Sequence, residues 1–381
     1  MVAVPSPLVA IRSVANGQNE WVALLLGASG QGLDAAALQD LFGSPDLLAA
    51  IAPLDCIVPL DNPVHLTPQL LALLPPNRVL LSVPASALAH GAAARRLAEL
   101  QGEGYRLLVD GAAANSARTL ARDCSSDAPQ PAALPALFGP HLAYGVDTMH
   151  RLVACETAGF GWFAGDYPLD SPLAEGDDGA TRRRLLTMLA LLARDADSRE
   201  LETQLRQDVA LSYHLLKLVN SAAFSCGTQI SSFGQAISRL GRRQLQRWLQ
   251  LLLYARTGAD GPPSRLLPLA ALRGALLEAL CKQDGCDSDE QDLAFMAGVF
   301  SLLDRLFQMP MDTIVRDLNL PAHVEAALLH REGELGERLR LVEAGGAPDD
   351  ARLAAVGITA GAWWQSQLHA YHWAIQVARN V

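Results

Sequence analysis

The sequence predicts an α/β domain followed by an all-α domain, and three observations carry this prediction. Between residues 8 and 170, short apolar runs alternate with helical patterns, as expected for a parallel sheet covered by helices on both faces. From Thr181 onward, nearly every segment has the spacing of an amphipathic helix. The intervening YPLDSPLAEGDDGA collects Pro, Gly, Asp and Ser without periodicity, which is typical of a linker. We therefore predict domains at residues 1–170 and 171–381.

Six apolar runs are the predicted strands of the first domain. In chain order they are VAIRSV, WVALLLG, CIVPL, RVLLSVP, YRLLVD and LAYGVD. The last four are continuous in hydrophobicity rather than alternating, which favours strands buried on both faces.

Helix signals in the second domain combine periodicity with caps. Leu245, Leu249 and Leu252 fall on one helical face. Ser232 is a candidate cap for a short helix that ends at Gly241, because glycine is the usual residue just past a helix C-terminus.

Composition narrows the function classes. The 381 residues carry a formal charge of -10, which disfavours nucleic acid as a partner. No apolar stretch reaches the ~20 residues that a membrane helix needs, and we see no secretory signal, so we expect a cytoplasmic protein. There is no phosphate-binding loop with a Gly-Lys pair and no GxSxG nucleophile motif. The six cysteines form no CxxC pair, and we predict no cofactor or metal.

The most specific stretch consists of LRQDVALSYHLLKLVNSAAFS (205–225) and ISSFGQAISRLGRRQLQRWL (230–249). It resembles the HDOD domain, a helical signalling module related to HD-type phosphohydrolases but lacking their catalytic residues. The residues that carry the resemblance include Asp208, Asn220, Ser221 and Gly241. Later segments extend it toward the HDOD half of two-domain EAL-HDOD signalling proteins.

The metal-binding dyad of HD phosphohydrolases is missing. An HD enzyme needs clustered imidazole and carboxylate groups to hold the ion that activates water. Where such an enzyme reads AGLLHDIG, this chain reads AGVFSLLD, which places Ser301 and Leu302 at the ligand positions. His369 and His372 are three residues apart on a predicted helix, but no third ligand is visible near them.

Three segments of the first domain resemble the EAL family of cyclic di-GMP phosphodiesterases: NEWVALLLG (19–27), LQGEGYRLLVDGA (100–112) and AGFGWFAGDYPLDSP (158–172). The resemblance implies a (β/α) barrel. Because the domain is shorter than the ~250 residues typical of such barrels, we expect an incomplete or modified TIM-like barrel that lacks one or more β/α units.

The catalytic residues that this resemblance would require are mostly absent. An apolar residue replaces the motif's glutamate, and Ser82, Gly111 and Gly145 stand at three further functional positions. Only Asp110 and Asp147 persist, either as relics that line a pocket at the strand ends or as helix caps and solvent-exposed groups. Two isolated carboxylates cannot assemble a two-metal site, so we predict that the protein is not an enzyme.

Two further features are candidate contact sites. The cluster Arg239, Arg242, Arg243 and Arg247 either recognises phosphate or an acidic partner, or forms a solvated face. Aromatic residues in the last twenty positions either pack a terminal helix on the core or anchor a homodimer.

The resemblance implies a non-catalytic regulator that acts by protein–protein interaction in cyclic di-GMP-related signalling, with motility, virulence or biofilm formation as the controlled behaviour. One alternative is a receptor that binds a cyclic dinucleotide without hydrolysing it. Another is a cryptic metal-dependent phosphohydrolase in the helical domain.

Overall fold

The computed structural model describes most of the first half of the chain and most of the residues after 233. The described residues are 8–27, 32–89, 91–111, 119–125, 140–170, 187, 191, 200, 233–254, 264–316, 318 and 320–380. The chain divides into two compact units, Met1–Ser171 with Gly345–Leu368, and Pro172–Ala344 with His369–Val381. The assignment of domains to residues 1–170 and 171–381 stays a prediction.

The first unit contains a closed barrel of eight strands in sequential order. The strands are β1 (Ile11–Asn16), β2 (Trp21–Leu26), β3 (Asp55–Pro59), β4 (Val79–Pro84), β5 (Arg106–Asp110), β6 (Leu120–Asp123), β7 (Leu142–Tyr144) and β8 (Trp162–Ala164). Neighbours from β2 to β8 run parallel. All six predicted runs lie on strands. Of the other two strands, β8 lies within the EAL-like segment 158–172, and the short β6 was not predicted.

β1 departs from the expected parallel sheet, because it is antiparallel to both β2 and β8. A tight turn joins β1 to β2, with Asn19 at a positive φ of 64°. The Asn16 side chain accepts hydrogen bonds from the backbone N–H groups of Gln18 and Glu20 and so fixes this turn. A hairpin reverses the chain, whereas parallel neighbours need a long crossover. The prediction of an entirely parallel sheet is therefore wrong for β1.

The barrel has its full set of strands, so the expectation of missing units is wrong for the strands themselves. The domain is short because some connections between strands are short. The β1–β2 hairpin takes no helix, and the chain passes from Asp110 to Leu120 in fewer than the dozen residues that a helical crossover usually takes. The α-helices described around the barrel are α1 (Ala35–Phe42), α2 (Asp46–Ala50), α3 (Pro68–Leu71), α4 (Gly91–Gly102) and α5 (Met149–Thr157).

Apolar side chains from the strands pack against one another in one cluster. Its buried members are Val14, Ala23, Leu25, Ile57, Leu80, Leu108, Ala121, Leu142, Tyr144 and Ala164. Successive side chains of a strand point to opposite faces, so each strand gives alternate residues to this cluster. The barrel interior is therefore a packed core rather than a pore.

Helices make up the remainder of the described chain after residue 232. They are α6 (Phe233–Leu252), α7 (Leu267–Gln283), α8 (Ser288–Phe300), α9 (Leu303–Phe307), α10 (Met311–Arg316), α11 (Ala322–His330), α12 (Gly333–Glu343), α13 (Asp350–Ala355) and α14 (Ala360–Asn380). Within the described residues, no helix combines the length and the apolar character needed to cross a bilayer.

Gly241 breaks α6 into two helical segments. Its φ of 74° and ψ of 159° lie in a region that only glycine occupies readily. This geometry confirms the predicted short helix that ends at Gly241. Leu249 and Leu252 on the following segment are buried, as their spacing predicts. The cap proposed at Ser232 lies outside the described residues.

The aromatic C-terminal helix α14 is packed within the chain. Trp363, Trp364 and Tyr371 are buried. In the second unit, the ring of Trp373 lies 6.3 Å from that of Trp248 and meets Phe295 edge-on at 5.3 Å. These rings therefore contribute to the chain's own packing, which was one of the two interpretations of the aromatic segment. The other, that it anchors a homodimer, stays a prediction.

Candidate functional site

The strand ends of the barrel carry a carboxylate–phenol pair. Asp110 is the last residue of β5, and Tyr144 is the last residue of β7. The Tyr144 hydroxyl lies 2.8 and 2.9 Å from the two carboxylate oxygens of Asp110, to which it donates. Ala121 on the intervening β6 pairs with Asp110 and belongs to the same apolar cluster as Tyr144.

Burial, hydrogen bonding and a neighbouring carboxylate shift the pKa values of both groups. Burial raises the pKa of Asp110, the Tyr144 hydrogen bond opposes that rise, and the nearby Asp123 carboxylate adds to it. The pKa of Tyr144 is raised by burial and by its bond to Asp110, so its hydroxyl keeps its proton. The Tyr144 hydroxyl therefore remains a hydrogen-bond donor to the Asp110 carboxylate.

Asp147 does not join this pair. It stands just before α5 with 51% of its side chain exposed, and it lies 3.8 Å from Arg151 one helical turn later. The structure thus places Asp110 in a semi-buried strand-end position and Asp147 at the surface. Among the described residues, no group of three or more His, Cys, Asp or Glu side chains could hold a metal ion.

The backbone at Gly145, where the EAL resemblance implies a lysine, leaves no space for a side chain. Its φ is 69°, and a Cβ built on it would come within 2.8 Å of an Asp123 carboxylate oxygen and 2.9 Å of the Ser125 side chain. A side chain at this position would need both an unfavourable backbone and a displaced loop. Ser82, at another such position, is buried on β4.

In the helical unit, an arginine contacts Ser301, one of the two residues predicted to stand at the metal-dyad position of an HD enzyme. Ser301 and Leu302 are both buried. The Arg273 guanidinium donates to the Ser301 hydroxyl at 2.9 Å, and that hydroxyl donates to the Gly298 carbonyl at 2.8 Å. A buried fixed cation at this point repels a divalent metal ion.

Close packing of α7 against α8 brings Arg273 to Ser301. A Cβ on Gly274 would meet a Val299 methyl at 2.8 Å, and a Cβ on Gly298 would meet the Arg273 carbonyl oxygen at 2.5 Å. Glycine at both positions therefore permits the helices to approach. This contact is the structural reason why a residue on α7 reaches the end of α8.

Arg273 belongs to a charged network at the ends of several helices. Glu343 accepts from Arg273 at 3.3 Å and from Arg331 through two bonds of 2.7 Å. Burial lowers the pKa of Arg273, and Glu343 opposes this shift. Asp304 has a buried carboxylate oxygen without a hydrogen-bond partner among the described residues, and it lies 3.6 Å from Arg305.

The two arginines of α6 whose side chains are described both bind acidic residues of the chain, Arg247 in a largely buried position and Arg243 at the surface. Arg247 is 16% exposed and lies 2.5 Å from Glu278 and 2.7 Å from Asp292, with its guanidinium carbon 5.1 Å from the Phe295 ring centroid. Arg243 pairs with the same Asp292 and donates to the Ser288 carbonyl. Both guanidinium groups therefore already bind groups of this chain and are not open for bidentate binding of a phosphate.

The remaining predicted site residues are placed only in part. The side chains of Arg239 and Arg242 lie outside the described residues, as do Asp208, Asn220 and Ser221 entirely. Burial lowers the pKa of His369, and within the described chain no third ligand accompanies it and His372.

Two thiol pairs were missed by the sequence analysis. The buried Cys124 hydrogen-bonds to Cys155, and this bond lowers the pKa of Cys124 and raises that of Cys155. Burial raises the pKa of Cys281 to about 12, and a hydrogen bond to Cys286 adds to this rise. Only the proximity of 281 and 286 in sequence could have suggested the second pair.

Comparison with protein families assigns the helical segment. Residues 182–311 match the family model of the HDOD domain. The chain contains an HDOD domain. This matched segment includes Arg247 with its partners Glu278 and Asp292. It also includes the α7–α8 contact and the Arg273–Ser301 hydrogen bond.

Curated relatives match part of the chain. The uncharacterized protein YuxH of Bacillus subtilis (strain 168) is 28% identical over 207 residues, which are 53% of this chain and 50% of YuxH. The cyclic di-GMP phosphodiesterase CdgJ of Vibrio cholerae is 32% identical over 149 residues, which are 39% of this chain and 34% of CdgJ. The chain thus spans half or less of the length of these relatives.

Among solved structures, an HDOD domain protein with unknown function from Geobacter sulfurreducens is 16% identical, with a TM-score of 0.33. The match covers 51% of this chain and 84% of that protein.

Proposed function

We propose that this protein is a non-catalytic, cytoplasmic signal-transduction regulator that acts through protein partners in cyclic di-GMP-related signalling. The HDOD domain and the cyclic di-GMP phosphodiesterase among its relatives support a signalling role. The observation that supports the non-catalytic part is the contact of the Arg273 guanidinium with Ser301, because it places a positive charge beside the position where an HD enzyme would hold its metal.

The barrel supports the same proposal. We propose that it is an EAL-related domain whose catalytic end is degenerate. The closed eight-stranded barrel agrees with this relationship, and the Asp110–Tyr144 pair satisfies internally a carboxylate that would otherwise be available to a metal. The Gly145 backbone, which rejects a side chain, removes a second expected functional group.

A hydrolysis assay tests this proposal directly. Purified full-length protein is incubated with cyclic di-GMP and either Mg²⁺ or Mn²⁺, and the products are separated by chromatography. We expect no linear dinucleotide above the level of a protein-free control, and metal analysis that finds no stoichiometric transition metal. Turnover that disappears in Asp110→Ala would overturn the proposal for the barrel, and turnover that disappears in Asp304→Ala would overturn it for the helical unit.

A second candidate is a receptor that binds cyclic di-GMP at the barrel's strand ends without cleaving it. The observation in its favour is that Asp110 still lies semi-buried at a strand end, beside a phenol that could hydrogen-bond a guanine or ribose group. Calorimetric titration with cyclic di-GMP distinguishes the two candidates. Saturable binding that is lost in Asp110→Ala supports the receptor, and an absence of binding leaves the protein-interaction role.

A further inference from the structure

The helical unit contains a cavity that neither the metal-site comparison nor the signalling proposal uses. Its volume is about 430 Å³, within the range of small-molecule sites. The walls come from the end of α7, the first half of α8, α11 and the start of α12. The lining residues are Leu277, Cys281, Cys286, Glu290, Leu293, Ala294, His323, Ala326, Glu332, Gly333, Glu334, Leu335 and Arg338.

The cavity has an apolar floor and an acidic mouth. Leu277, Cys281 and Ala294 are buried and form part of the floor. The three glutamates Glu290, Glu332 and Glu334 are exposed. Carboxylates therefore outnumber the single arginine among the lining side chains.

Two of the three glutamates, Glu290 and Glu334, are held in place by contacts within the chain. Glu290 completes the capping box of α8, since its carboxylate accepts from the Asp287 backbone N–H at 3.2 Å. Glu334 is bound by Arg338 one helical turn later. The Glu332 carboxylate has no ion-pair partner in the described part of the chain, so it is the one available to a ligand.

An ion pair and close backbone packing hold the turn that carries Glu332. Arg331 ends α11 with a positive φ of 57°, and its guanidinium is bound to Glu343 by two bonds of 2.7 Å. A Cβ on Gly336 would come 2.4 Å from the Arg331 carbonyl carbon, so the first turn of α12 packs directly on this corner. The cavity mouth is therefore preorganised, which lowers the entropic cost of binding.

Arg338 lines the cavity and has one buried hydrogen-bond donor without a partner among the described residues. Its side chain is 8% exposed, and its Nη2 group lies 2.6 Å from Asp284 and also contacts Glu334. Its Nε is buried without a hydrogen-bond partner among the described residues. Such orphaned donors are uncommon in folded proteins. The charge of this guanidinium is balanced by Asp284 and Glu334, so it does not cancel the acidic character of the cavity mouth.

We propose that this cavity binds a small amphipathic cation, namely an aliphatic ammonium compound whose hydrocarbon body fills the apolar floor and whose charged head lies among the glutamates. The inference is independent of the proposed signalling function. The same charge pattern disfavours anionic ligands, including cyclic dinucleotides, at this position.

The test uses three probes that share one hydrocarbon chain and differ in head group: octylammonium, octanol and octanoate. Each is titrated calorimetrically into the full-length protein at neutral pH and low salt, below its aggregation concentration. We expect saturable binding in the order octylammonium, octanol, octanoate, with the advantage of the ammonium compound shrinking as salt is added. Octanoate binding as tightly as octylammonium, or no saturable binding of octylammonium, would overturn the proposal.

Two variants and a matched control localise the binding. Glu332→Gln should weaken octylammonium binding roughly two- to five-fold and leave octanol unaffected, as expected for an exposed charge pair. Ala326→Phe should block all three probes by filling the cavity. Glu337→Gln removes an exposed glutamate of α12 that does not line the cavity, and it should change nothing. Equal effects of Glu332→Gln and Glu337→Gln, or unchanged octylammonium affinity in a folded Ala326→Phe, would each refute the site.

Discussion

Replacing Arg247 with methionine should destabilise the helical unit far more than the same change at Arg243. The Arg247 guanidinium bridges Glu278 and Asp292, whose side chains are only 20% and 24% exposed. Methionine retains the hydrocarbon part of the side chain and removes the charge. Glu278 would then keep no ion-pair partner among the described residues, while Asp292 would keep Arg243.

The size of the effect follows from this geometry. Removing one partner of a fully buried ion pair costs about 3–5 kcal/mol because the other charge stays buried and unpaired. Here partial exposure and the remaining Arg243 reduce that cost, and the lost contact with the Phe295 ring adds about 0.5–1 kcal/mol. We therefore expect a loss of about 2–3 kcal/mol for Arg247→Met. Arg243 is 42% exposed, so Arg243→Met should cost no more than about 1 kcal/mol.

Hydrogen exchange followed by mass spectrometry measures this loss where it occurs. The slowest amides of α7 and α8 report the free energy of opening of these helices, which a global melting curve of a two-unit chain would not isolate. Adding Glu278→Gln to Arg247→Met should recover part of the loss, because it removes the orphaned charge. Equal losses for Arg247→Met and Arg243→Met, or no recovery in the double variant, would refute the reasoning.

Three further predictions concern single residues. The folded-state pKa of Asp110 lies above its ordinary value of 3.8, so the stability that its protonated form contributes is lost as pH rises through that folded pKa. We therefore expect Asp110→Asn to have a higher Tm than the parent at pH 7. At pH 3 the two proteins should have the same Tm. The folded-state pKa of His369 lies below its ordinary value of 6.5. The stability that neutral His369 contributes is therefore present above pH 6.5 and is lost as pH falls toward the folded pKa. His369→Gln should lose less stability than the parent when the pH is lowered from 7 to 5, and parallel Tm profiles would count against this. Gly241→Ala should cost about 1–3 kcal/mol in urea unfolding, because alanine disfavours the φ of 74° at this break. Gly102→Ala, at an unobstructed helix end, is the control and should cost little.

Local signals in the sequence predicted local structure well. The apolar runs located six strands, and Gly241 marked a helix end, because hydrophobic periodicity and glycine preferences are set by neighbouring residues. The short β6 was missed because its LARD sequence is too brief and too polar to stand out. The antiparallel β1 was missed because its direction depends on the turn geometry around Asn19 rather than on the run itself.

Site geometry was beyond the reach of the sequence because it depends on distant pairs. Asp110 was identified as a candidate, but its partner Tyr144 is 34 residues away and carries no motif. The α6 arginines were read as one exposed cluster, yet Arg247 is neutralised by residues 31 and 45 positions further along the chain. No spacing rule within one helix can anticipate an acceptor that arrives from another helix.

The prediction that Ser301 and Leu302 stand where an HD phosphohydrolase has its metal dyad can be tested by building ligands at these two positions. The position is occupied by a guanidinium that Ser301 and Glu343 hold in place, and the glycine contact between α7 and α8 leaves Arg273 close to it. Ser301→His with Leu302→Asp would therefore add candidate ligands next to a buried positive charge, which would still repel a divalent ion. Adding Arg273→Met should be required before the chain takes up Mn²⁺ in equilibrium dialysis, and Glu343 would remain neutralised by Arg331 in that variant. If the two-residue variant alone binds Mn²⁺ stoichiometrically, then Arg273 is not the barrier, and the structural argument against catalysis in this unit fails.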